Sequence, residues 1–425
     1  MIRLGRFWLL HTIFLVTTLV AVPTVSTASN QDMIMPLPTT RNELSERLKA
    51  AGLSADAVTT IVAAARNGLA LDTAPTTEHA IAIGASKFGG LPDLPTGMTW
   101  PVRPAYENAG KLAQELENDA ANLYADAGLQ PPWMGEEGKA LVAARKKLNE
   151  EAMAGTLDLM RKAGVDISTL DLGNLPKPGL KDIEAEATEL RAKAQAVAEP
   201  FPLTFIGQLD LDALAKQPGF DPALPKTGRL LLFYDLPIFP AGFEPGSRVG
   251  WRLIYDETPP SGLQRNELPA ALSSFPAAVT LKPATVSTRS VVTTVPMGDS
   301  AWHILKATAH DDIELYHQWL FTLGVPNSAE GGNHQLGGWP RAIQANMQSE
   351  SQLAAHGIYA GTSDAYKTEA AQRLLPGAKD WQLVMQIGAD TVIGQELPGA
   401  FYVLMRKQDL SAKNFDRAWV IYEQD

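Results

Sequence analysis

His310, Glu314 and His317 fall at i, i+4 and i+7, so a helix places all three on one face, with His303 nearby in sequence. Two imidazoles and a carboxylate make up the ligand set of a catalytic zinc. The tract Asp311-Asp312-Ile-Glu314 also reads as an ordinary solvated first turn, its acids facing the positive end of the helix dipole, and the spacing alone assigns no metal. Ser86-Lys87 has the residue types of a Ser/Lys dyad, but neighbours in an extended strand point to opposite faces. Asp210 and Asp212 share a strand face and read as caps for a helix reaching Leu214. The chain has no Gly-x-Ser-x-Gly elbow, no His-Glu-x-x-His, no phosphate-binding loop and no dinucleotide fingerprint. It has no cysteine either, which excludes disulfides, thiolate metal sites and a cysteine nucleophile. These residues define no catalytic constellation, metal site or cofactor site.

A second group surrounds the stretch His334-Gln-Leu-Gly-Gly-Trp-Pro-Arg-Ala-Ile-Gln344. His334 and Gln344 flank a paired-glycine turn with Trp339 between them, and they could line a pocket with an aromatic wall. His334 either bonds backbone or, given an acidic partner and an open cleft, acts as the base of a hydrolytic site. Gln208 and Gln386 interrupt otherwise apolar strands, where an unpaired amide costs about 1–3 kcal/mol. Each must therefore meet a partner, either the neighbouring turn or a ligand.

The elements around these residues repeat. Phe88-Gly-Gly-Leu-Pro92 matches Leu336-Gly-Gly-Trp-Pro340, Phe205-Ile-Gly-Gln208 matches Leu383-Val-Met-Gln386, and Gly228 with its Leu-Phe-Tyr strand matches Gly399 with Phe401-Tyr402. Gly89, Gly90 and Pro92, then Gly337, Gly338 and Pro340, are the structural signature of two similar β units. Paired glycines permit positive φ and proline stiffens the chain that follows. The first unit covers 79–106 and 200–300, with a short strand at Ala80–Ile83, and the second covers 301–425. Between the parts of the first unit, residues 107–199 shift to Ala, Glu, Lys and Leu at helical spacing. This predicts an α-helical insertion of three or four helices, broken at Pro131-Pro132 and around Gly173 to Gly179. Before the first unit, 29–78 holds a helical hairpin. Its first helix opens on the Thr40/Glu43 capping box and stops at Gly52, and its second runs from Ala55 to Asn67. The expected fold is α+β, with a duplicated, mainly antiparallel β-sheet core, the N-terminal helical hairpin and the long α-helical insertion.

Arg3 and Arg6, the apolar run from Phe7 to Val22 and Ser26-Thr-Ala28 form the three parts of a secretory signal peptide, 1–28, with cleavage expected after Ala28. The whole chain carries 36 basic and 47 acidic residues. Losing the two arginines leaves 34 against 47, a net charge of −13. Such a balance argues against nucleic acid or anionic lipid as a partner. No later segment is apolar enough to span a bilayer. The expected compartment is periplasmic or extracellular, without membrane attachment once the signal is removed.

Ser86-Lys-Phe-Gly-Gly-Leu-Pro-Asp-Leu-Pro95, Trp100-Pro101, the Gln-x-Asp of Leu203 to Leu211, and His334-Gln-Leu-Gly-Gly-Trp-Pro with Ile343-Gln344 together resemble the YwqG-like family, a bacterial domain of unknown function. The resemblance covers about residues 79–425 without the helical insertion. It implies an α+β fold rich in sheet with a duplicated core, a role in protein interaction and no established enzymatic activity. Family members carry a Trp-Gly-Asp-like turn before the late strand, whereas this chain has Ile393-Gly-Gln-Glu-Leu-Pro-Gly399. The reading that follows is an exported, non-catalytic protein that binds another exported protein, a peptide or a small ligand in a groove between its two β units. The alternative is a periplasmic hydrolase with its site between the two Gly-Gly turns.

Overall fold

The computed structural model describes residues 34–164, 178–298, 300–305, 310–324, 333–344 and 346–424. The signal-peptide reading and most of the break expected at 173–179 lie outside them. Helix α1, Arg41–Ala50, begins where the Thr40 hydroxyl accepts the Glu43 N–H at 3.1 Å and buries Leu44 and Leu48. Gly52 turns the chain at φ +90°, and the Ser54 hydroxyl caps α2, Ala55–Ala64. This helix is shorter than its apolar spacing predicts, because Ala65 is extended and Arg66 already begins strand β1, Arg66–Pro75. A side chain at Gly68 would meet the Leu336 and Gly337 carbonyls at 3.1–3.2 Å, so this glycine admits a neighbouring strand. The strand expected at Ala80–Ile83 is instead the end of a single 3-10 turn, Glu78–Ala80, followed by loop.

The chain divides into two compact units. The smaller includes Ala105–Phe201 and Ser274–Ala277, and its long helices are α3, Ala109–Asp126, α4, Glu136–Lys162, and α5, Leu180–Ala196. Ala120 and Tyr124 of α3 pack on Ile183 and Ala187 of α5. Trp133, just after Pro131-Pro132, meets Tyr124 edge-on with ring centroids 5.3 Å apart. Arg191 covers the Trp133 ring at 4.5 Å.

The larger unit holds one antiparallel sheet of ten described strands. After β1 come β2, Lys87–Phe88, β3, Thr204–Asp210, β4, Arg229–Tyr234, and β5, Trp251–Asp256; then β6, Ala284–Thr293, β7, His334–Leu336, β8, Trp381–Asp390, β9, Gln395–Arg406, and β10, Trp419–Gln424. Their order across the sheet is β10-β9-β8-β7-β1-β6-β2-β3-β4-β5. The α+β architecture is thus built on a duplication: β2 to β5 make one half, β7 to β10 the other, and β1 pairs with β6 between them. Registers repeat with the strands. Lys87 faces Gln208 as Gln335 faces Gln386, and the register shift between Phe205 and Gly207 recurs between Leu383 and Met385.

One face of the sheet buries Leu69, Leu71, Phe88, Leu230, Leu336, Phe401 and their neighbours in a continuous core. A second core joins the hairpin to α6, His310–Thr322, through Leu44, Leu48, Ile61, Tyr316 and Trp319. At about 1.5–3 kcal/mol for each fully buried large apolar side chain, these contacts outweigh the weak propensity of two ten-residue helices. Asp312 belongs to this junction. The sequence reads it as part of a solvated first turn, but it is 7% exposed and accepts the Ser54 N–H and hydroxyl, each at 2.7 Å. Helix α7, Met347–Ala354, is held to β8 by Gln348 donating to the Trp381 carbonyl and by Trp381 Nε1 donating to Gln352.

Candidate functional site

The two Gly-Gly turns are built alike. Gly89, Gly90, Gly337 and Gly338 all have φ between +63° and +76°, the left-handed region that glycine enters without steric cost. Gly89 donates to the Ile206 carbonyl at 2.8 Å and Gly337 to the Val384 carbonyl at 2.9 Å. Behind each turn a buried glutamine bonds the same two backbone groups. Gln208 accepts the Asp93 N–H and donates to the Ala85 carbonyl. Gln386 accepts the Arg341 N–H and donates to the Asn333 carbonyl. Of the two partners open to these glutamines, the neighbouring turn or a ligand, the bonds are to the turn, and both side chains are fully buried.

The turns do not share a cavity. A side chain at Gly89 would strike the Lys282 carbonyl, next to the start of β6, whereas one at Gly338 would strike Thr293 at its end. The strand between is ten residues long, roughly 30 Å. Antiparallel pairing of β1 with β6 sends equivalent features to opposite ends, so the hydrolytic site expected between the turns has no place in this sheet. His334 also lacks the open cleft that reading needs. It is 1% exposed, lies against the Phe88 ring at 4.6 Å and meets the Asp390 carboxylate through Nε2 at 2.9 Å. Asp390 also accepts the Thr73 hydroxyl at 2.5 Å and the Val392 N–H at 2.7 Å. Burial alone would raise the Asp390 carboxyl, but the bonds from His334, Thr73 and Val392 outweigh it and hold it below the ordinary value.

At the first turn the space is filled by charged side chains. Lys87 and Asp93 are fully buried; Lys87 donates to Glu78 at 2.7 Å, Arg265 donates to Asp93 at 2.9 Å, and Glu78 accepts the Leu91 N–H at 3.0 Å. Burial pulls the Lys87 ammonium below its usual value against the opposing pull of Glu78 and Asp93. Burial pushes the Asp93 carboxyl up, and the bonds from Arg265, Gly84 and Gln208 with the charge of Lys87 bring it below the ordinary value.

At the second turn the structure leaves a cavity of about 210 Å³. Its floor is the chain from Trp339 to Gln344, and its opposite wall carries Met297, His317, Leu320 and Phe321. Trp339 is 4% exposed, donates through Nε1 to the Ala64 carbonyl at 2.8 Å and lies under the Arg66 guanidinium at 3.6 Å. Its N–H bonds Thr293. The Tyr402 hydroxyl donates to the Arg341 carbonyl at 2.6 Å, and Glu423 accepts both the Ile343 and Gln344 N–H groups at 2.9 Å. The floor is thus fixed before anything binds. The polar groups of the described lining include the Thr293 and Thr294 hydroxyls and the His317 imidazole, with no carboxylate or thiol among them; Thr293 is held by the Trp339 N–H and donates to the Arg66 carbonyl. Burial lowers the Arg341 guanidinium below its usual value.

Of the five candidate contacts, Trp339 and Gln344 line this cavity, while His334, Gln208 and Gln386 sit within the sheet. Leu37, Met297 and Phe321 carry no motif of their own and escaped the sequence because they converge from distant segments. The zinc reading does not gain from the fold: His317 meets Phe321 in a tilted arrangement with ring centroids 4.6 Å apart and Glu314 accepts from Gln318, while the His310 side chain lies outside the described residues. Among the described residues no group of three metal-ligating side chains converges, and no helix is long and apolar enough to cross a membrane.

A family model described as "Domain of unknown function (DUF1963)" matches residues 86–423. No curated protein matches the chain.

Proposed function

Given that the chain belongs to the DUF1963 family, whose description assigns no activity, we propose that it is an exported binding protein of YwqG-like type, without catalysis of its own. The partner is a protein or peptide that places an apolar side chain in the cavity beside the second Gly-Gly turn. The observation that carries this reading is the combination of a floor fixed by Thr293, Tyr402 and Glu423 with Phe321, 67% exposed, at the rim. A volume of about 210 Å³ is below the roughly 300 Å³ at which pockets for whole small molecules begin. It fits one inserted side chain, the anchor type that dominates interface energetics. The acidic surface and the signal-like leader favour an exported partner over nucleic acid or membrane.

A photoreactive phenylalanine analogue at position 321, introduced in the exporting cell, tests this. A discrete cross-linked species that disappears when Ala342→Trp fills the cavity is the expected result. Absence of any species, or one insensitive to Ala342→Trp, overturns the reading. Export is tested by sequencing the mature N-terminus, expected at Ser29.

A further inference from the structure

Beyond the apolar cavity, a second cleft of about 460 Å³ shares Gln344 with it and is lined by the chain leading into α7 and by residues 359–366, whose last four form a helical turn. We propose that this cleft is a binding site for a neutral glycan of one or two sugar rings. Its lining combines three aromatic rings, Phe243, Tyr359 and Tyr366, with the amides of Gln344 and Asn346 and the hydroxyls of Thr362 and Ser363.

That mixture matches a sugar on both of its surfaces. The axial C–H groups of a pyranose carry a slight positive charge and lie flat on the negative face of an aromatic ring. Its hydroxyls each donate and accept, and side-chain amides and hydroxyls are the groups that do the same. Charge narrows the class further. Glu350 is the one charged residue lining the cleft among the described residues, and there is no cation, so phosphates, carboxylates and nucleotides have no counter-charge. The volume lies inside the range of small-molecule sites, which the first cavity does not reach.

The platform is held in place. Tyr359 is 46% exposed, unusual for a large ring, yet it lies so closely over Gly361 that a side chain there would meet the ring hydroxyl at 2.2 Å. The next residue, Ala360, donates to the Phe243 carbonyl at 2.9 Å. Opposite, Asn346 takes a left-handed conformation at φ +77° and its carbonyl accepts the Glu350 N–H at 3.0 Å. Both walls are therefore shaped without ligand.

The test is titration calorimetry of the whole mature protein with maltotriose, cellotriose and chitotriose, alongside an uncharged tripeptide, acetyl-Ala-Ala-Ala-amide. At least one trisaccharide is expected to bind, roughly tenfold more weakly to Tyr359→Ala and with little change to Tyr359→Phe, which keeps the ring. Phe321→Ala, in the other cavity, is expected to leave glycan binding unchanged whether or not that cavity receives a partner. Circular dichroism of Tyr359→Ala confirms that the exposed ring is dispensable for folding. No trisaccharide binding, binding insensitive to Tyr359→Ala, or preference for the tripeptide overturns the assignment.

Discussion

Gln386 accepts the Arg341 N–H at 2.9 Å and donates to the Asn333 carbonyl at 3.0 Å, and Gln208 makes the same pair of bonds to Asp93 and Ala85 in the other half of the sheet. The duplicated turns are thus pinned by one side chain each. Replacing Gln386 by Leu keeps the volume but strips two buried backbone groups of this partner, at about 1–3 kcal/mol for each. Chemical denaturation of Gln386→Leu is expected to show a loss of about 2–6 kcal/mol. Gln208→Leu is expected to lose more, because Gln208 also donates to the Asp93 carboxylate at 2.7 Å.

The His334–Asp390 contact makes a pH prediction. Asp390 lies below its ordinary value of 3.8 in the folded chain. A carboxyl depressed by folding contributes stability that is fully present above its unfolded value and is lost as the pH falls through the folded value. Urea midpoints followed from neutral pH to below 3.8 should therefore drop on the acid side. In Asp390→Asn the neutral-pH midpoint should be lower and the acid slope shallower. An unchanged slope would remove Asp390 from the account.

The repeat was legible because left-handed turns leave glycine as the favoured residue and because a glutamine in an apolar strand demands partners. Those constraints are local and survive in sequence. β1 was not legible, since Arg66-Asn-Gly-Leu-Ala-Leu follows directly on an apolar helical period, and the sequence of Gly68 does not reveal that the Leu336 carbonyl approaches it. α7 was hidden for the opposite reason: Gln348, Ser351 and Gln352 look solvent-facing but are buried, Gln348 and Gln352 in bonds to Trp381. The cavity was the least legible feature. Trp339 and Gln344 could be named as its residues, but its other wall is set by how α6 packs on the hairpin.

A buried ion pair tests how the first half is specified. Arg103 and Asp235 are both fully buried and meet through Arg103 Nε at 2.5 Å. Arg103→Met takes the counter-charge from buried Asp235, which keeps its bond from the Ile238 N–H, and is expected to destabilise by about 3–5 kcal/mol. The double variant Arg103→Met/Asp235→Leu should recover most of that loss, since an apolar pair of similar volume avoids desolvating two charges. A double-mutant cycle by thermal unfolding measures the coupling; additive losses would show that the two residues act separately.

Gly89 and Gly338, one from each turn, should differ in tolerance although both have positive φ. In Gly89→Ala the new methyl would lie 2.1 Å from the Lys282 carbonyl oxygen, a backbone atom. In Gly338→Ala it would lie 2.6 Å from the Thr293 hydroxyl, on a side chain that can turn at the expense of its bond from the Trp339 N–H. Both variants incur the left-handed cost of about 1–2 kcal/mol. Only Gly89→Ala must also move main chain at the edge of β6. Thermal melts should rank Gly89→Ala as the more damaging, and Gly338→Ala should weaken cross-linking at position 321 more than its stability loss explains, because Trp339 floors the cavity. Equal damage at both positions, with cross-linking intact, would mean that the second turn serves the fold alone.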